Sequence, residues 1–397
     1  MTRVLHVIDS LGGGGAESQL TSMLAASDKR RFLHTVCALG VADRYGARLR
    51  AAGIRFVKFN AIPRREPLKT LGALRSLVRE VEPDVIHTSL YWSSILGRVA
   101  ARLARSPVVT TLVNTSYEPE WRMDNPRLTP AKHFAVRLVD AATARRWNAW
   151  FVALTESIRL SAIRQLGLPP ERISVIPRGL DTDRFAHPPA ERVEAARLDL
   201  GWDGAYPVLL NVGRLVPQKG QRYIVSAMPE ILKTFPRALL VLAGEGYLRA
   251  DLEALARSLG VADHLRLLGA RDDVPLLLAA ADLFVFPSLY EGFGTALLEA
   301  LTAGCPCVAS RVPAVSEVTE GGTIARLVTP QSPTALAEAV MRLAGDRLEA
   351  ARLGDEAAIW TRGRYHIIRS TRMFETVFEA VASGRPVRLE EAVGAIA

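Results

Sequence analysis

Short, β-branched apolar runs alternate with amphipathic helical segments along this chain, and that alternation constrains its fold more than any other feature. The predicted strands of the first half are Val4–Asp9, His34–Leu39, Ile54–Val57, Asp84–Thr88, Val108–Leu112, Trp150–Thr155 and Ile173–Ile176. Helical patterns lie between them, for example at Leu71–Glu80 and Trp92–Leu103. Strands that alternate with helices in this way predict a parallel, doubly wound sheet of the α/β class.

The alternation is interrupted once and then begins again. Pro177–Asp181 and the proline-containing stretch near His187 have the composition of a linker. The predicted strands beyond it are Val208–Gly213, Ala238–Ala243, Leu265–Leu268, Leu283–Pro287 and Cys307–Ser310, with helices such as Tyr223–Thr234 and Leu248–Ser258 between them and a last helix over Arg364–Ala382. Because 397 residues are also many for one core, we predict two domains, 1–190 and 191–365, and a helix with a tail at 366–397.

Composition excludes several classes of protein. No stretch reaches the roughly 18 apolar residues of a spanning helix, and the opening run Val4–Ile8 is too short for a signal peptide. Three cysteines (Cys37, Cys305 and Cys307) are too few for a disulfide framework, so we expect a cytoplasmic protein. Residues 1–150 carry 23 Lys and Arg against 12 Asp and Glu, whereas residues 151–397 carry 27 against 29. A basic half suits anionic lipid, nucleic acid or a phosphorylated substrate, or is simply a solvated surface.

The strongest local motif follows the predicted strand Leu283–Pro287. A glycine-bearing loop leads into a helix predicted to begin near Thr295, and two carboxylates, Glu291 and Glu299, lie eight residues apart. Backbone amides of Gly292–Thr295, at a helix N-terminus on the carboxyl edge of a sheet, favour a negatively charged ligand. Glu299 could accept hydrogen bonds from a ribose. The alternative is that Glu291 only complements the helix dipole.

A second motif, Asn211–Gly220, begins at the end of the predicted strand Val208–Gly213, and it carries two cations. The guanidinium of Arg214 can hold a phosphate through two hydrogen bonds, while Lys219 supplies a compact charge. A diphosphate leaving group needs such neutralisation as its bond to a sugar breaks. The alternative is a pair of solvated cations on a loop.

Taken together, these motifs resemble glycosyltransferase family 4, the retaining group 1 enzymes with the two-domain GT-B fold. The resemblance covers nearly the whole chain. Further segments that carry it are Gly14-Gly15-Ala16-Glu17, Ile176–Asp181 with Arg184-Phe185, Gly244–Gly246 and Gly304–Val308. In the segment Ile176–Asp181, Arg178 replaces the commoner Asn.

The resemblance implies two Rossmann-like domains that face each other across a cleft, with the C-terminal helix crossing back to the N-terminal domain. It implies retaining, metal-independent sugar transfer from a nucleotide-diphosphate sugar, such as a UDP or GDP sugar, with no cofactor. Arg214, Lys219 and Glu291 would be catalytic, the two cations binding the diphosphate and Glu291 the transferred sugar. The other implied donor-binding residues are Gly14 and Gly15 at the phosphates, Gly269 and Arg271 at the base, Glu299 at the ribose, and the loop residues Gly292, Phe293, Gly294 and Thr295.

One departure from the family concerns the N-terminal domain. The family often carries a His after the strand Val108–Leu112, where this chain has none. The candidates for the acceptor side are therefore His87, Asn114 and Tyr117, although a His at a strand end is as often structural. The competing functions are an epimerase or phosphorylase on the same fold and a non-catalytic nucleotide-sugar binder.

We expect no metal site in this chain. Asp181-Thr182-Asp183 imitates a D-x-D motif but lies in the interdomain segment, and Cys305 and Cys307 lack a second pair of ligands. The glycine runs give no G-x-G-x-x-G, which counts against a dinucleotide dehydrogenase.

The expected acceptor is a sugar or a lipid-linked precursor of a cell-surface glycan, and no nucleic acid is expected. Cations and aromatic residues mix between Tyr117 and Trp150: Arg122, Arg127, Lys132, Arg137, Arg145 and Arg146 with Trp121, Phe134, Trp147 and Trp150. That mixture suits peripheral docking on an anionic membrane surface. The alternative is that the aromatic residues pack in the core.

Overall fold

The computed structural model describes residues 1–12, 14–120, 129–146 and 149–390. Contacts divide the chain into two units. The first comprises Met1–Glu118, Arg127–Asp181 and Tyr365–Ala397, and the second comprises Pro119–Pro126 and Thr182–Arg364. The chain therefore leaves the first unit after Asp181 and returns to it at Tyr365.

A seven-stranded parallel sheet forms the centre of the first unit. Its strands are β1 (Thr2–Ile8), β2 (Phe32–Ala38), β3 (Arg55–Lys58), β4 (Val85–Ser89), β5 (Val108–Leu112), β6 (Trp150–Ala153) and β7 (Ile173–Val175). The spatial order is β3-β2-β1-β4-β5-β6-β7, so the direction of winding reverses between β1 and β4. This is the doubly wound arrangement that the alternation predicts.

Helices cover the sheet of the first unit. They are α1 (Gly15–Ala26), α2 (Gly46–Ala51), α3 (Pro67–Val81), α4 (Tyr91–Ala104), α5 (Pro130–Arg146) and α6 (Glu156–Leu166), and, from the end of the chain, α15 (Ile367–Ala382). Phe374 and Phe378 of α15 are buried in a core with Val4 of β1 and Val85 of β4. This confirms the prediction that the last helix packs on the N-terminal sheet.

The last helix begins three residues later than predicted. A separate helix ends at Arg364, and His366 then caps α15, because its Nδ1 accepts a hydrogen bond from the Ile368 amide at 3.2 Å. A side chain that caps a helix marks its first turn.

The second unit repeats the architecture with a six-stranded parallel sheet. Its strands are β8 (Val208–Val212), β9 (Leu239–Ala243), β10 (Leu265–Gly269), β11 (Leu283–Phe286), β12 (Cys307–Ser310) and β13 (Arg326–Val328), in the order β10-β9-β8-β11-β12-β13. Its helices are α7 (Ala190–Asp199), α8 (Gln221–Thr234), α9 (Arg249–Ser258), α10 (Val274–Ala280), α11 (Thr295–Thr302), α12 (Pro313–Val318), α13 (Pro333–Gly345) and α14 (Arg347–Arg364). Winding reverses between β8 and β11, and the α/β class is confirmed in both units.

Candidate active site

The loops after β8 and β11 meet where the winding of the second sheet reverses, which is where open α/β sheets bind ligands. The amide of Leu289 donates to the Gln218 carbonyl at 2.8 Å, and the side-chain amide of Gln218 donates to the Tyr290 carbonyl at 2.9 Å. Gly220 has a φ of +62°, and a Cβ there would lie 2.1 Å from the Pro287 carbonyl oxygen. Glycine is therefore required at position 220 for the two loops to touch.

Lys219 and Glu291, from these two loops, form an ion pair. The Lys219 Nζ lies 2.5 Å from the Glu291 Oε1, and their side chains are 17% and 7% exposed. The same Nζ lies 5.6 Å from the centre of the Phe286 ring. The sequence motifs gave the two residues separate roles, and the structure places their charged groups in direct contact.

Arg214 lies beside this pair in the loop after β8, and its side chain is exposed. Its guanidinium makes a long contact of 3.4 Å to the Gln218 side-chain oxygen. The main chain of Arg214 is held firmly, because its carbonyl accepts a hydrogen bond from the buried Gln221 side chain at 2.9 Å. The loop is therefore fixed at its base while its guanidinium is open to solvent.

Sequence reasoning missed two buried amides that support this loop. Gln221 Nε2 lies 3.3 Å from Asn211 Oδ1, and Asn211 Nδ2 donates to the Val285 carbonyl in the neighbouring strand at 2.8 Å. Buried amides of this kind need hydrogen-bond partners, and each partner fixes the backbone that supplies it. The available signal was an asparagine inside the apolar strand β8.

The N-terminus of α11 lies beside Glu291. Gly294, the residue before the helix, has a φ of +88°, a left-handed conformation that glycine adopts without strain. The first turn has no side-chain cap, so its N–H groups have no partner within the helix. The ring of Phe293 is buried, so only its backbone could meet a ligand, whereas Glu299 is half-buried in the second turn.

The loop after β9 packs through its backbone against the loop after β8 and against the end of β10. A Cβ at Gly244 would lie 1.9 Å from the Gly213 carbonyl oxygen, and one at Gly246 would lie 2.2 Å from that of Leu215. The Gly244 amide donates to the Gly269 carbonyl at 2.7 Å. These contacts require the two glycines of the Gly244–Gly246 motif.

Arg271, predicted to lie at the base, forms an exposed ion pair in its own loop. Its Nε and Nη2 donate to the two Asp273 carboxylate oxygens at 2.8 and 2.5 Å. The hydrogen bond from Arg271 holds the pKa of the Asp273 carboxyl below its usual range. A nucleobase would have to stack on this pair or displace it.

In the first unit, Gly14 precedes α1 and Gly15 is its first residue. The Arg178 guanidinium donates to the Gly15 carbonyl, and a Cβ at Gly15 would lie 2.7 Å from the Arg178 Nη1. Glu17, in the first turn, is buried, and that burial raises the pKa of its carboxyl. Arg178, which departs from the family's commoner Asn, therefore supports the glycine turn.

His87 is enclosed rather than open to an acceptor. It is 4% exposed, its Nε2 lies 2.7 Å from the Thr111 hydroxyl, and its Nδ1 lies 2.9 Å from the His6 Nδ1. Burial lowers the pKa of His87 to about 3. These contacts favour a structural role for His87 over a role at the acceptor.

His87 belongs to a buried chain of hydrogen bonds. His6 Nε2 lies 2.9 Å from His34 Nδ1, His34 Nε2 lies 2.8 Å from the Ser27 hydroxyl, and Ser27 donates to the Glu375 carboxylate at 2.6 Å. Because an ionised carboxylate only accepts, every group along the chain donates toward Glu375, which fixes the tautomer of each neutral imidazole. We name Thr111, His87, His6, His34, Ser27 and Glu375 the histidine chain.

The other two acceptor-side candidates differ in exposure. Tyr117 is 5% exposed, and its hydroxyl donates to the Asp140 carboxylate at 2.8 Å. Asn114 is exposed and accepts a hydrogen bond from the Ser116 hydroxyl. The structure therefore buries the side chains of His87 and Tyr117, and Asn114 is the one of the three that a substrate could reach.

The three cysteines lie in the core of the protein. Cys37, Cys305 and Cys307 are free and buried, and burial raises the pKa of the Cys37 thiol to about 12. Within residues 1–12, 14–120, 129–146 and 149–390, no three His, Cys, Asp or Glu side chains are grouped as a metal site would need.

Comparison with known proteins connects the two units to described families. The family described as "Glycosyltransferase Family 4" matches residues 13–184, and "Glycosyl transferases group 1" matches residues 193–360. The chain is 34% identical over 252 residues to the UDP-Gal:alpha-D-GlcNAc-diphosphoundecaprenol alpha-1,3-galactosyltransferase of Escherichia coli, covering 62% of each chain. It is 31% identical over 280 residues to the 2-deoxystreptamine glucosyltransferase of Streptomyces kanamyceticus, covering 68% of this chain and 70% of that enzyme.

A third relative matches over more of its length. The GDP-mannose-dependent alpha-(1-6)-phosphatidylinositol monomannoside mannosyltransferase of Mycobacterium tuberculosis is 29% identical over 334 residues, covering 82% of this chain and 83% of that one. Among solved structures, Anabaena Alr3699/HepE in complex with UDP-glucose has a TM-score of 0.84 at 22% identity, covering 96% of this chain and all of that one. At that identity the likeness shows the fold.

Proposed function

Because this chain belongs to the group 1 and family 4 glycosyltransferases, we propose that it moves a sugar from a nucleoside-diphosphate sugar to an acceptor hydroxyl. The observation that carries the proposal is the Lys219–Glu291 ion pair, which lies at the winding reversal of the second sheet beside the open Arg214. The donor would bind across the carboxyl ends of β8 and β11.

The two cations have the chemistry that the leaving group needs. Negative charge grows on the diphosphate as its bond to the anomeric carbon breaks, and fixed cations stabilise that charge. Arg214 offers an open guanidinium, and Lys219 an ammonium that already has an acidic partner. A bound diphosphate would compete with Glu291 for Lys219, which would release the Glu291 carboxylate to accept hydrogen bonds from the sugar.

The remaining donor contacts follow from the edge of the same sheet. The first turn of α11 has no cap, so it would meet a negatively charged group. Glu299 would accept the ribose hydroxyls, and the base would lie near Gly269 and Arg271. The relatives' names include both UDP-Gal and GDP-mannose, so the proposal is a nucleoside-diphosphate sugar without a choice of base.

We propose that the transfer retains the anomeric configuration and needs no metal. The acceptor oxygen would attack from the face that the diphosphate leaves. The new bond joins this oxygen to the anomeric carbon, the bond to the diphosphate breaks, and a diphosphate oxygen takes the acceptor proton. Asn114 cannot act as a base, and the burial of His87 and Tyr117 supports giving that proton to the leaving group.

The proposed acceptor is lipid-linked, and the enzyme would dock peripherally on the cytoplasmic face of an anionic membrane. On α5, Phe134, Leu138 and Val139 are about half exposed, and Arg137 lies over the Phe134 ring. Exposed apolar side chains among cations suit a membrane interface. The structure does not describe Trp121, Arg122, Arg127, Trp147 or the side chain of Arg146.

Within the part of the chain that the structure describes, no helix is long and apolar enough to cross a membrane.

The test is donor turnover. Nucleotide sugars are first ranked by the rise in melting temperature that each causes, because a ligand that binds the folded state stabilises it. The best donor is then incubated with lipid-linked acceptors, and release of nucleoside diphosphate is measured with and without EDTA. We expect release that requires the acceptor and persists in EDTA. Binding without release would favour a non-catalytic binder, and loss of turnover in EDTA would contradict the metal-free mechanism.

A further inference from the structure

A groove of about 570 Å³ opens in the first unit at the amino ends of β5 and β6. Its walls come from the end of α4, the turn into β5, the start of β6, the turn into β7, and the end of α15 with the residues after it. Five arginines line it, namely Arg98, Arg102, Arg105, Arg172 and Arg385, and its described lining includes no carboxylate. We name it the arginine groove.

Four of these five arginines have no acidic partner among the residues that the structure describes, although several other surface arginines of the unit are also unpaired. Arg3, Arg31 and Arg55, for comparison, pair with Glu82, Glu379 and Glu80. The side chains of Arg102, Arg105 and Arg172 make no ion pair or hydrogen bond to any residue that the structure describes. Arg385 donates from its Nε to the neutral Ser383 hydroxyl at 2.8 Å.

Arg98 forms part of the wall and is differently placed. It is 1% exposed, and its Nη2 donates to the Asp140 carboxylate and to the Thr143 hydroxyl. Its buried Nε has no hydrogen-bond partner among the described residues. The charge of Arg98 is therefore compensated by Asp140, while one donor of the same guanidinium is left unsatisfied.

Helix dipoles compensate only part of the positive charge of the other four arginines. The carboxyl ends of α4 and α15 both lie at the groove, and each offers about half a negative charge to nearby cations. The four guanidiniums of Arg102, Arg105, Arg172 and Arg385 carry four positive charges, which leaves an excess of about three. An anion is the partner that such an excess attracts.

We propose that the arginine groove binds a phosphorylated ligand through its phosphate or diphosphate group. The guanidinium fork matches phosphate oxygens, and the half-buried Trp150, whose Nε1 donates to Ser174, gives a fixed wall for an organic group. The groove volume is in the range of small-molecule sites.

This site is separate from the reaction. The groove lies at Val108, the first residue of β5, whereas the candidate Asn114 lies two residues beyond the last residue, Leu112. About 13 Å of strand separates those two ends at the usual rise per residue. A phosphate in the groove therefore belongs to a second ligand, which is either a soluble phosphorylated metabolite or the headgroup of a lipid.

The test counts bound pyrophosphate by equilibrium dialysis with radiolabelled inorganic pyrophosphate. The Arg214→Ala variant is the reference, because it weakens the donor site and leaves the groove intact. In that background, the groove triple Arg102→Ala/Arg105→Ala/Arg172→Ala is compared with the matched triple Arg48→Ala/Arg75→Ala/Arg79→Ala. The matched triple removes the same charge from exposed positions of the first unit.

We expect the groove triple to weaken pyrophosphate binding at least about tenfold and the matched triple to change it less than about twofold. Equal losses in the two triples would show diffuse attraction to a basic surface and overturn the proposal. So would the absence of binding in the Arg214→Ala reference. The single variant Arg105→Lys keeps the positive charge but loses the guanidinium that can bind two phosphate oxygens. It should lose affinity with an unchanged melting temperature, which would show that the loss does not come from unfolding.

Two further arms identify the source of the phosphate. Vesicles that contain phosphatidic acid are compared with phosphatidylserine vesicles of equal net charge, and glycerol 1-phosphate is titrated in solution. A preference for phosphatidic acid that the groove triple abolishes would identify a lipid headgroup. Binding of glycerol 1-phosphate without that preference would identify a soluble ligand. Donor turnover is measured in parallel, so failure of the transferase proposal would be seen separately.

Discussion

The two sheets reverse their winding in the same way, but the charged residues at the two reversals make different contacts. In the second unit, Lys219 and Glu291 pair their charges beside an open Arg214. In the first unit, Asp9 accepts hydrogen bonds from the amides of Trp92 and Ser93, and Arg178 donates to the Gly15 carbonyl. Topology thus provides two equivalent crevices, and among the described residues the second is the one where an ion pair of two loops lies beside an open guanidinium.

The largest expected effect comes from removing Lys219, one partner of the ion pair at the winding reversal of the second sheet. Lys219→Ala should lower kcat by about 10²- to 10³-fold, because in the proposed mechanism one preorganised charge at the leaving group is lost. It should also destabilise the second unit, since the buried Glu291 loses its partner. Turnover is measured with saturating donor and stability by urea denaturation.

Two variants separate these consequences of Lys219→Ala. Lys233→Ala breaks an exposed ion pair with Glu230 in the same unit and should leave both properties nearly unchanged. Lys219→Met/Glu291→Gln removes both buried charges, and it should recover stability without recovering turnover. If turnover returned with stability, the pair would be structural and the comparison between the two reversals would fail.

The second prediction concerns pH and the first unit. Burial lowers the pKa of His34 to about 4 and of His87 to about 3, against an ordinary value of 6.5. Below pH 6.5 the unfolded chain therefore binds protons that the folded chain does not, so stability is lost as pH falls from 6.5 toward 4 and 3. From pH 6.5 to 5 the loss from these two histidines should be about 3 kcal/mol.

Hydrogen exchange of separate peptides gives the control for this pH effect. Peptides from β1 and β4, which carry His6 and His87, should lose protection between pH 6.5 and 5, after correction for intrinsic exchange rates. Peptides from β8 and β11 carry no histidine and should lose much less. Equal loss of protection in both sheets would show that the histidine chain does not set the acid sensitivity.

The third prediction returns to the second unit. Glu299→Ala should weaken donor binding by about 2–3 kcal/mol if its carboxylate accepts the ribose hydroxyls. Glu338→Ala, at an exposed position on α13, is the matched control and should leave binding unchanged. Titration calorimetry with the donor measures both variants, and an unchanged dissociation constant for Glu299→Ala would remove Glu299 from the site.

Much of the fold follows from local sequence patterns. The strands β5 and β12 match their predictions at both ends, and each begins directly after a proline, Pro107 or Pro306, that marks its start. The strand β13 was not predicted, because it begins with the charged Arg326 and leaves only two apolar residues, Leu327 and Val328. The helix α11 begins at Thr295 as predicted, because the glycines before it mark the turn.

Contacts between distant segments could not be predicted from the sequence. Lys219 and Glu291 are 72 residues apart, and only the adjacency of β8 and β11 brings them together. The histidine chain depends on strand register, which pairs His6 with His87 and places His34 of β2 opposite Val4, two residues before His6 in β1. The sequence shows that His87 lies near the end of a strand, but only the register of the neighbouring strands shows that its side chain is enclosed.

The smallest predicted effect tests whether the surface of the first unit, rather than its reversal, brings the enzyme to its acceptor. Lys132 is exposed at the start of α5, near the half-exposed Phe134 and Leu138. If α5 docks on an anionic membrane, Lys132→Ala should weaken vesicle binding by about 1 kcal/mol, or roughly fivefold. Lys69→Ala, on α3 of the same unit, removes an equal charge and should change binding less. Co-sedimentation at two salt concentrations measures both variants, and the difference between them should shrink at high salt because screening shortens the reach of surface charge. If the two lysines proved equivalent, net charge alone would attract the protein to the membrane and α5 would not be the docking surface.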